Sequence, residues 1–296
     1  MRNIQGVNGF LNVDKPQGIT SHDVVDVIRK IFPKIKVGHT GTLDPIATGV
    51  LPISIGEATK LTSRITSEDK EYHVKMLLGV ETDTYDVTGK IVFASVINKD
   101  EIYIKERIKR FIGPQMQTPP IYSAIKVNGK KAYDYAREGK EVELSPRKIE
   151  IFAIENIEVD IPKKEVAFDV SCTKGTYIRS LVHDIGEKLG CGATMIELRR
   201  LRTGNFDINK SVKLYDYLKL EYNDMISNVI SIEEYYKESK KISLTNSEYN
   251  KFKNGVSLDL ESQEDIVRIY VDSKFKGLGT VENNKLKRYI IEDKDW

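Results

Sequence analysis

From Tyr72 onward apolar and polar positions alternate, with Tyr72, Val74, Met76 and Leu78 on one side and His73, Lys75 and Leu77 on the other. This is the period of a half-buried strand. Val166, Phe168, Val170 and Cys172 repeat it. Shorter apolar runs at residues 9–13 and 50–55 predict two more strands, the first running into a loop at Asp14-Lys15-Pro16. Helical spacing takes over elsewhere. Val24, Val25, Ile28 and Ile31 follow it behind a capping Thr20 or Ser21. Residues 58–65 predict a short helix and residues 101–112 a longer one, with Ile104, Ile108, Phe111 and Ile112 inward. Gly175-Thr176 leads into a helix whose stripe is Ile178, Leu181, Val182, Ile185 and Leu189, stopped by Gly190. Pro119-Pro120 interrupts regular structure, residues 122–127 read as a strand, and Asn128-Gly129 as a tight turn. One more strand is predicted at residues 195–204.

Beyond about residue 240 the texture changes. A helix over residues 243–254, closed by Gly255, is followed by short strands at residues 266–271 and 277–281. The expectation is an α+β fold of two domains, residues 1–240 and residues 241–296.

Composition narrows the class. The chain has 296 residues, 40% hydrophobic and 30% charged, ordinary for a soluble globular protein with a sizeable core. No apolar run approaches the roughly 18 residues that span a bilayer, and Met1-Arg2-Asn3-Ile4-Gln5 lacks a signal-peptide core. A cytoplasmic protein without membrane association is expected. Cys172 and Cys191 form no C-x-x-C pair and no histidine cluster accompanies them, so they read as buried free thiols rather than a disulfide or zinc site. A net charge of +2 means that a polyanionic partner would be held by local patches rather than a global field.

The densest chemistry lies in residues 38–51, Gly38-His39-Thr40-Gly41-Thr42-Leu43-Asp44-Pro45-Ile46-Ala47-Thr48-Gly49-Val50-Leu51. Neither periodicity fits, so it reads as an ordered loop. Asp44 is its only acid, and Pro45 biases it toward an extended backbone that fixes where the carboxylate points. The glycines permit close approach by a bulky ligand. Two readings stand for Asp44: an Asx turn or a catalytic carboxylate. An aspartyl-phosphate site is disfavoured because Ile46 stands where such sites commonly carry a second acid. Elsewhere Glu81, Asp83 and Asp86 crowd a loop ending in Thr88-Gly89, at a spacing that does not fit an EF-hand. Lys130, Lys131, Arg137, Arg147 and Lys148 accompany Tyr133 and Tyr135, as a solvated face or a phosphate-contacting surface. Arg179, in the first turn of its helix, gains nothing from the macrodipole, so it is either solvated or paired with a specific anion.

Residues 38–51 resemble the signature loop of the bacterial tRNA pseudouridine synthase B family, close to G-H-T-G-T-L-D-P-x-A-x-G-x-L, and match every fixed position. Further family motifs follow in order: Asp14-Lys15-Pro16-Gln17-Gly18-Ile19-Thr20-Ser21 before the loop, then Lys70-Glu71-Tyr72 after it. Gly79, Thr82, Thr84, Asp86 and Gly89 fit G-x-x-T-x-T-x-D-x-x-G. Residues 119–130 continue to Tyr133 and Ala136-Arg137, and Lys174-Gly175-Thr176-Tyr177-Ile178-Arg179 precedes Leu198-Arg199-Arg200. The resemblance covers at least residues 9–204.

It implies a pseudouridine synthase-type mixed sheet flanked by helices, with a small C-terminal PUA-like β module that binds RNA. The implied activity is isomerisation of one uridine of tRNA, position 55 in the T-loop, without cofactor or metal. The N1–C1′ bond breaks, the uracil turns over, and it rejoins through C5. Asp44 matches the catalytic carboxylate, with attack at C1′, attack at the base and removal of the C2′ proton left open. Tyr72 matches a tyrosine that stacks on the uracil. Tyr177 and Leu198 match pocket-lining positions, His39 a histidine near the flipped-out nucleotides, and Arg179 the arginine paired with the aspartate. Lys15 and Pro16 match a segment supporting the loop, although a solvated Lys15 and a core Tyr72 remain open readings. The implied partner is the T stem-loop of tRNA, bound by a monomer. The rival class is a non-catalytic tRNA-binding protein or RNA chaperone, for which Asp44 would be expendable.

Overall fold

The computed structural model describes residues 6–140, 142–262 and 264–291. Met1 to Gln5, read above for a leader, and the last five residues of the expected second domain lie outside the described residues. Strand β1 (Gly9–Lys15) leads to helix α1 (Ser21–Ile31). Thr20 caps α1 as expected, accepting from the Asp23 amide while the Asp23 carboxylate accepts from Thr20. Then come β2 (Val37–His39), β3 (Thr48–Ile55) and β4 (Lys70–Leu78), with a 3₁₀ turn running into a one-turn helix over residues 56–66. Helix α2 (Glu101–Lys109) precedes β5 (Gly113–Gln117), β6 (Arg147–Asp160) and β7 (Glu165–Cys172). Helix α3 (Ile178–Leu189), β8 (Ala193–Thr203) and β9 (Val212–Lys213) complete the larger body.

These strands form one mixed sheet in the order β9-β1-β3-β8-β4-β7-β6-β5. The β1–β9 and β3–β8 pairs are parallel and the others antiparallel. Helices α1, α2 and α3 cover one face, burying Val24, Val25, Ile28, Ile104, Ile108, Leu181, Val182 and Ile185 against Val74, Met76, Val166, Phe168 and Leu198. Gly190 ends α3 in the left-handed region at φ 73°, as read. The opposite face of β4, β7 and β8 is polar and laced by cross-strand pairs, His73 to Asp169 at 2.7 Å and Arg202 to Glu71 at 2.7 Å among them.

Two expectations fail. Residues 122–127 are not a strand. Only Lys126–Val127 pairs, with Lys130–Lys131, because the Ser123 amide donates back to the Ile121 carbonyl and bends the chain instead. The turn between the paired segments is as read, Asn128 and Gly129 both having positive φ. Ile112 is exposed, since helix α2 stops at Lys109, one turn too early to bring it inward.

A second sheet follows. Strand β10 (Lys241–Ser243) and helix α4 (Asn246–Lys253) precede β11 (Leu258–Asp259), β12 (Ile266–Val271), β13 (Lys274–Glu282) and β14 (Lys285–Ile291), in the order β10-β12-β13-β14-β11. Its inner side packs on the first body through one apolar cluster. Ile266, Leu278 and Ile290 meet Phe10, Val50, Ala58, Leu61, Ile65, Phe206 and Tyr235. No helix among the described residues is long and apolar enough to cross a membrane.

Candidate active site

The loop between β2 and β3 is held from three sides. Ser21, at the start of α1, clasps Leu43: its hydroxyl accepts from the Leu43 amide at 2.8 Å and lies 3.1 Å from the Leu43 carbonyl. The Gly18 amide donates to the Pro45 carbonyl at 2.8 Å. Lys15 is fully buried at the end of β1, and its ammonium donates to the carbonyls of Pro16, Ile19 and Pro45. Three N–H groups thus meet three backbone oxygens, so Lys15 is a buried, bonded lysine and not a solvated one. Burial pulls its pKa down to about 8, and the nearby Asp44 charge opposes that shift. Pro16 supplies one of the three carbonyls.

Asp44 meets Arg179 from the first turn of α3. Arg179 Nε lies 2.9 Å from Asp44 Oδ2, and Nη2 donates to Oδ1 at 3.3 Å, a side-on fork that orients the carboxylate as well as neutralising it. The Arg179 side chain is 7% exposed and that of Asp44 36%, so the cation is recessed and the carboxylate faces out. Arg179 is itself fixed by the Tyr122 carbonyl at 2.9 Å and the Thr84 carbonyl at 3.3 Å. Asp86 Oδ2 stands 3.8 Å from Nε on the protein side. The other Asp86 oxygen accepts from the Thr84 and Thr88 hydroxyls and the Thr88 amide. The acidic loop at residues 80–90 is therefore knitted to itself and to this arginine: Asp83 accepts from the Lys90 amide, and Glu81 lies 3.2 Å from His183.

Tyr72 lies on the helix-covered face of β4, 7% exposed, opposite Arg200 of β8 in the strand register. Burial holds its phenol above the ordinary pKa, and the Arg200 charge opposes that shift. Leu198, two residues before Arg200, is buried opposite Val74 on the same face. Tyr177 caps α3. Its amide and carbonyl are both bound by the Gln117 side chain, at 2.8 and 3.0 Å, and its phenol, raised in pKa by burial, feels both Arg179 and Asp44. His39 ends β2, half-buried, on the far arm of the loop. Burial first, and then the Arg200 and His22 charges, push its pKa down.

The structure thus joins Asp44 to Arg179 directly, brings Tyr177 into their field, and ranges Tyr72 and Leu198 along one strand pair. Asp86 and Arg200 were read from the sequence as motif positions only, with no place at the site. Asp86 carried a signal in the threonines two residues to either side. Arg200 carried one in alternation, since Leu198 inward puts Arg200 inward too. The glycine reading also changes: at Gly49, φ 101°, an added Cβ would lie 2.2 Å from the Arg200 carbonyl. The close approach it permits is by the neighbouring strand. Of the basic residues near Tyr133, Lys131 and Arg137 lie over its ring at 5.2 and 5.3 Å, and Lys130 pairs with Glu138.

The model of the TruB family pseudouridylate synthase N-terminal domain matches residues 29–178, and that of the tRNA pseudouridylate synthase B C-terminal domain matches residues 179–230. The tRNA pseudouridine synthase B of Clostridium tetani is 46% identical over 296 residues, covering 96% of this chain and all of that protein. The one of Alkaliphilus oremlandii is 40% identical and covers 97% of each. Among solved structures, the chain resembles one from a Cbf5-Nop10-Gar1 complex, with a TM-score of 0.69, 28% identity, and coverage of 97% of this chain and 84% of that one. A chain of an H/ACA RNP bound to a substrate RNA containing 2'-deoxyuridine gives 0.69 at 27% identity, covering 96% and 86%.

Proposed function

Because this chain belongs to the TruB family of pseudouridylate synthases and is a tRNA pseudouridine synthase, an isomerase, we propose that it converts uridine 55 of the tRNA T-loop with Asp44 as its catalytic carboxylate. The observation that carries this is the Asp44–Arg179 fork, in which the cation is recessed and the carboxylate is open. The loop around it is fastened so that the carboxylate keeps one direction, as a reaction at a defined atom requires.

The target base must leave its stack, at a cost of a few kcal/mol, before the N1–C1′ bond can be reached. Tyr72 and Leu198 form an apolar wall for the extruded uracil, Tyr177 closes the side nearest Arg179, and His39 contacts nucleotides at the outer arm of the loop. The uracil then rejoins through C5 and the C5 proton passes to solvent, so the reaction needs no external reductant or group donor. The sheet spanning residues 241–291 serves as a PUA-like RNA-contacting module, its strands carrying Lys274, Lys276, Lys285, Lys287 and Arg288.

Tritium release from tRNA transcript labelled with [5-³H]uridine tests the reading. The wild-type chain should release one equivalent, and a transcript with cytidine at position 55 should release none. Asp44→Asn should hold tRNA with a Kd within about threefold of wild type while losing at least about a thousandfold in turnover. Binding without release by the wild-type chain would select the chaperone class, and substantial release by Asp44→Asn would remove Asp44 from the chemistry.

A further inference from the structure

Tyr85 stands between the two residues of the 80–90 loop that hold Arg179, the Thr84 carbonyl at 3.3 Å and the Asp86 carboxylate at 3.8 Å. Its backbone lies in the left-handed region, φ 63°, where a bulky residue is strained and a glycine is not. The turn alone therefore gives no reason for a tyrosine. The ring gives one: it lies flat on the imidazole of His183, centroids 4.0 Å apart and planes 12° from parallel. His183 is on α3, four residues and so one helical turn beyond Arg179, which puts both side chains on one flank of the helix. Glu81 approaches the same imidazole from the start of the loop, Oε1 lying 3.2 Å from Nδ1, and the Tyr85 carbonyl accepts from the Met195 amide of β8 at 3.0 Å.

We infer that Tyr85 and His183 are positioning residues for the isomerisation: their stack clamps the loop onto α3 one turn past Arg179, and so sets where the Thr84 carbonyl and the Asp86 carboxylate stand against the guanidinium. Arg179 passes that placement to Asp44 through its fork. With the ring gone, nothing holds the turn at Tyr85 against its own strain. Any rotation there swings Thr84 and Asp86, its immediate neighbours, and the arginine follows the acceptors that remain. The clamp acts on the direction of the carboxylate, so it belongs to turnover rather than to affinity for tRNA. It rests on the reading of Asp44 as the catalytic carboxylate.

Tyr85→Gly removes the ring and suits the backbone, and so separates the stack from the turn. In tritium release its kcat should fall about 3- to 10-fold, the worth of one stacked ring pair, with KM for tRNA within about twofold. Tyr85→Phe, which keeps the ring, should recover most of that loss. Adding His183→Ala to Tyr85→Gly should cost little beyond either change alone, because both break one contact. Wild-type kcat in Tyr85→Gly overturns the inference, as do losses that add in the double variant or a KM that rises as far as kcat falls. With arginine-selective ¹⁵N labelling and no tRNA, the Nε–H resonance of Arg179 should shift in Tyr85→Gly and return in Tyr85→Phe; an unmoved resonance overturns the clamp. Should Tyr85→Gly fail to fold, His183→Leu takes its place, losing the flat face of the imidazole, and the same shift is required of it. The resonance does not depend on turnover, so failure of the clamp is distinguishable from failure of the Asp44 assignment.

Discussion

Arg179 grips Asp44 along one edge, Nε to one oxygen at 2.9 Å and Nη2 to the other at 3.3 Å, while Asp86 stands 3.8 Å from Nε. One buried cation is thereby shared by an acid that faces the solvent side and an acid that faces the protein. Charge at this point is necessary, but direction is what the fork adds.

Arg179→Lys is accordingly expected to retain measurable activity, down roughly 10- to 100-fold in kcat, and Arg179→Ala to retain far less. The alanine variant also leaves the Thr84 and Tyr122 carbonyls without their donor and should melt lower. Stopped-flow or quench measurement of tritium release with saturating tRNA, beside a melting curve, checks both. Equal activity of the two variants would mean that the fork is dispensable.

Tyr72→Leu keeps the apolar wall and removes the aromatic ring and hydroxyl. Its turnover should fall by more than its tRNA affinity, because phosphate contacts dominate affinity and lie elsewhere. Filter binding and single-turnover assays on the same preparation separate the two. Parallel losses would make Tyr72 a residue of the core alone.

Gly49→Ala tests why a glycine stands in the signature loop. At φ 101° with the Arg200 carbonyl 2.2 Å from the new Cβ, the chain must shift where β3 and β8 pair. A cost of about 3 kcal/mol or more is expected, or a fall in Tm of roughly 6 °C or more. Wild-type melting would show that the strand pair yields.

Asp184, on α3, supplies a pH prediction. Burial raises its carboxyl to about 6, helped by Glu187 and opposed by His183 and Lys188. A folded-state value above the unfolded one means that the folded chain holds this proton longer, so the group's contribution is complete below about pH 4 and is lost as pH rises through about 6. Asp184→Asn removes that loss. Its Tm relative to wild type should grow by about 2 to 5 °C between pH 4 and pH 7.5, about 1 to 2 kcal/mol after allowance for solvent screening. A difference constant with pH would refute the assignment.

Periodicity made much of this architecture readable. The alternation from Tyr72 to Leu78 placed every apolar residue of β4 on the correct face, and the caps of α1 and α3 stood where Thr20 and Gly190 put them. It failed where partners are remote. Residues 122–127 have strand-like composition but no neighbouring strand to pair with, and local turns won. Lys70 shares the buried face with Tyr72, because carbonyls from residues 66 and 68 are there to receive its ammonium. The loop motif singled out Asp44, and its resemblance named Arg179. The distances that make them a unit, and the place of Asp86 behind them, arise only when α3 and the loop at residues 80–90 converge.

Neighbouring residues of β1 and β3 serve two different clusters. Leu11, Val13 and Leu51 point into the helix-covered core, while Phe10 and Val50 point into the cluster closed by Ile266, Leu278 and Ile290. The two bodies are therefore wired through shared backbone, and melting of one strips cover from strands of the other. A single cooperative unfolding transition follows, with no stage at which the C-terminal sheet is released alone. Cutting the chain near residue 240 would unroof Phe10, Ile65, Phe206 and Tyr235 and feed aggregation, so the sheet's part in RNA binding has to be probed by charge changes on its outer surface rather than by deletion.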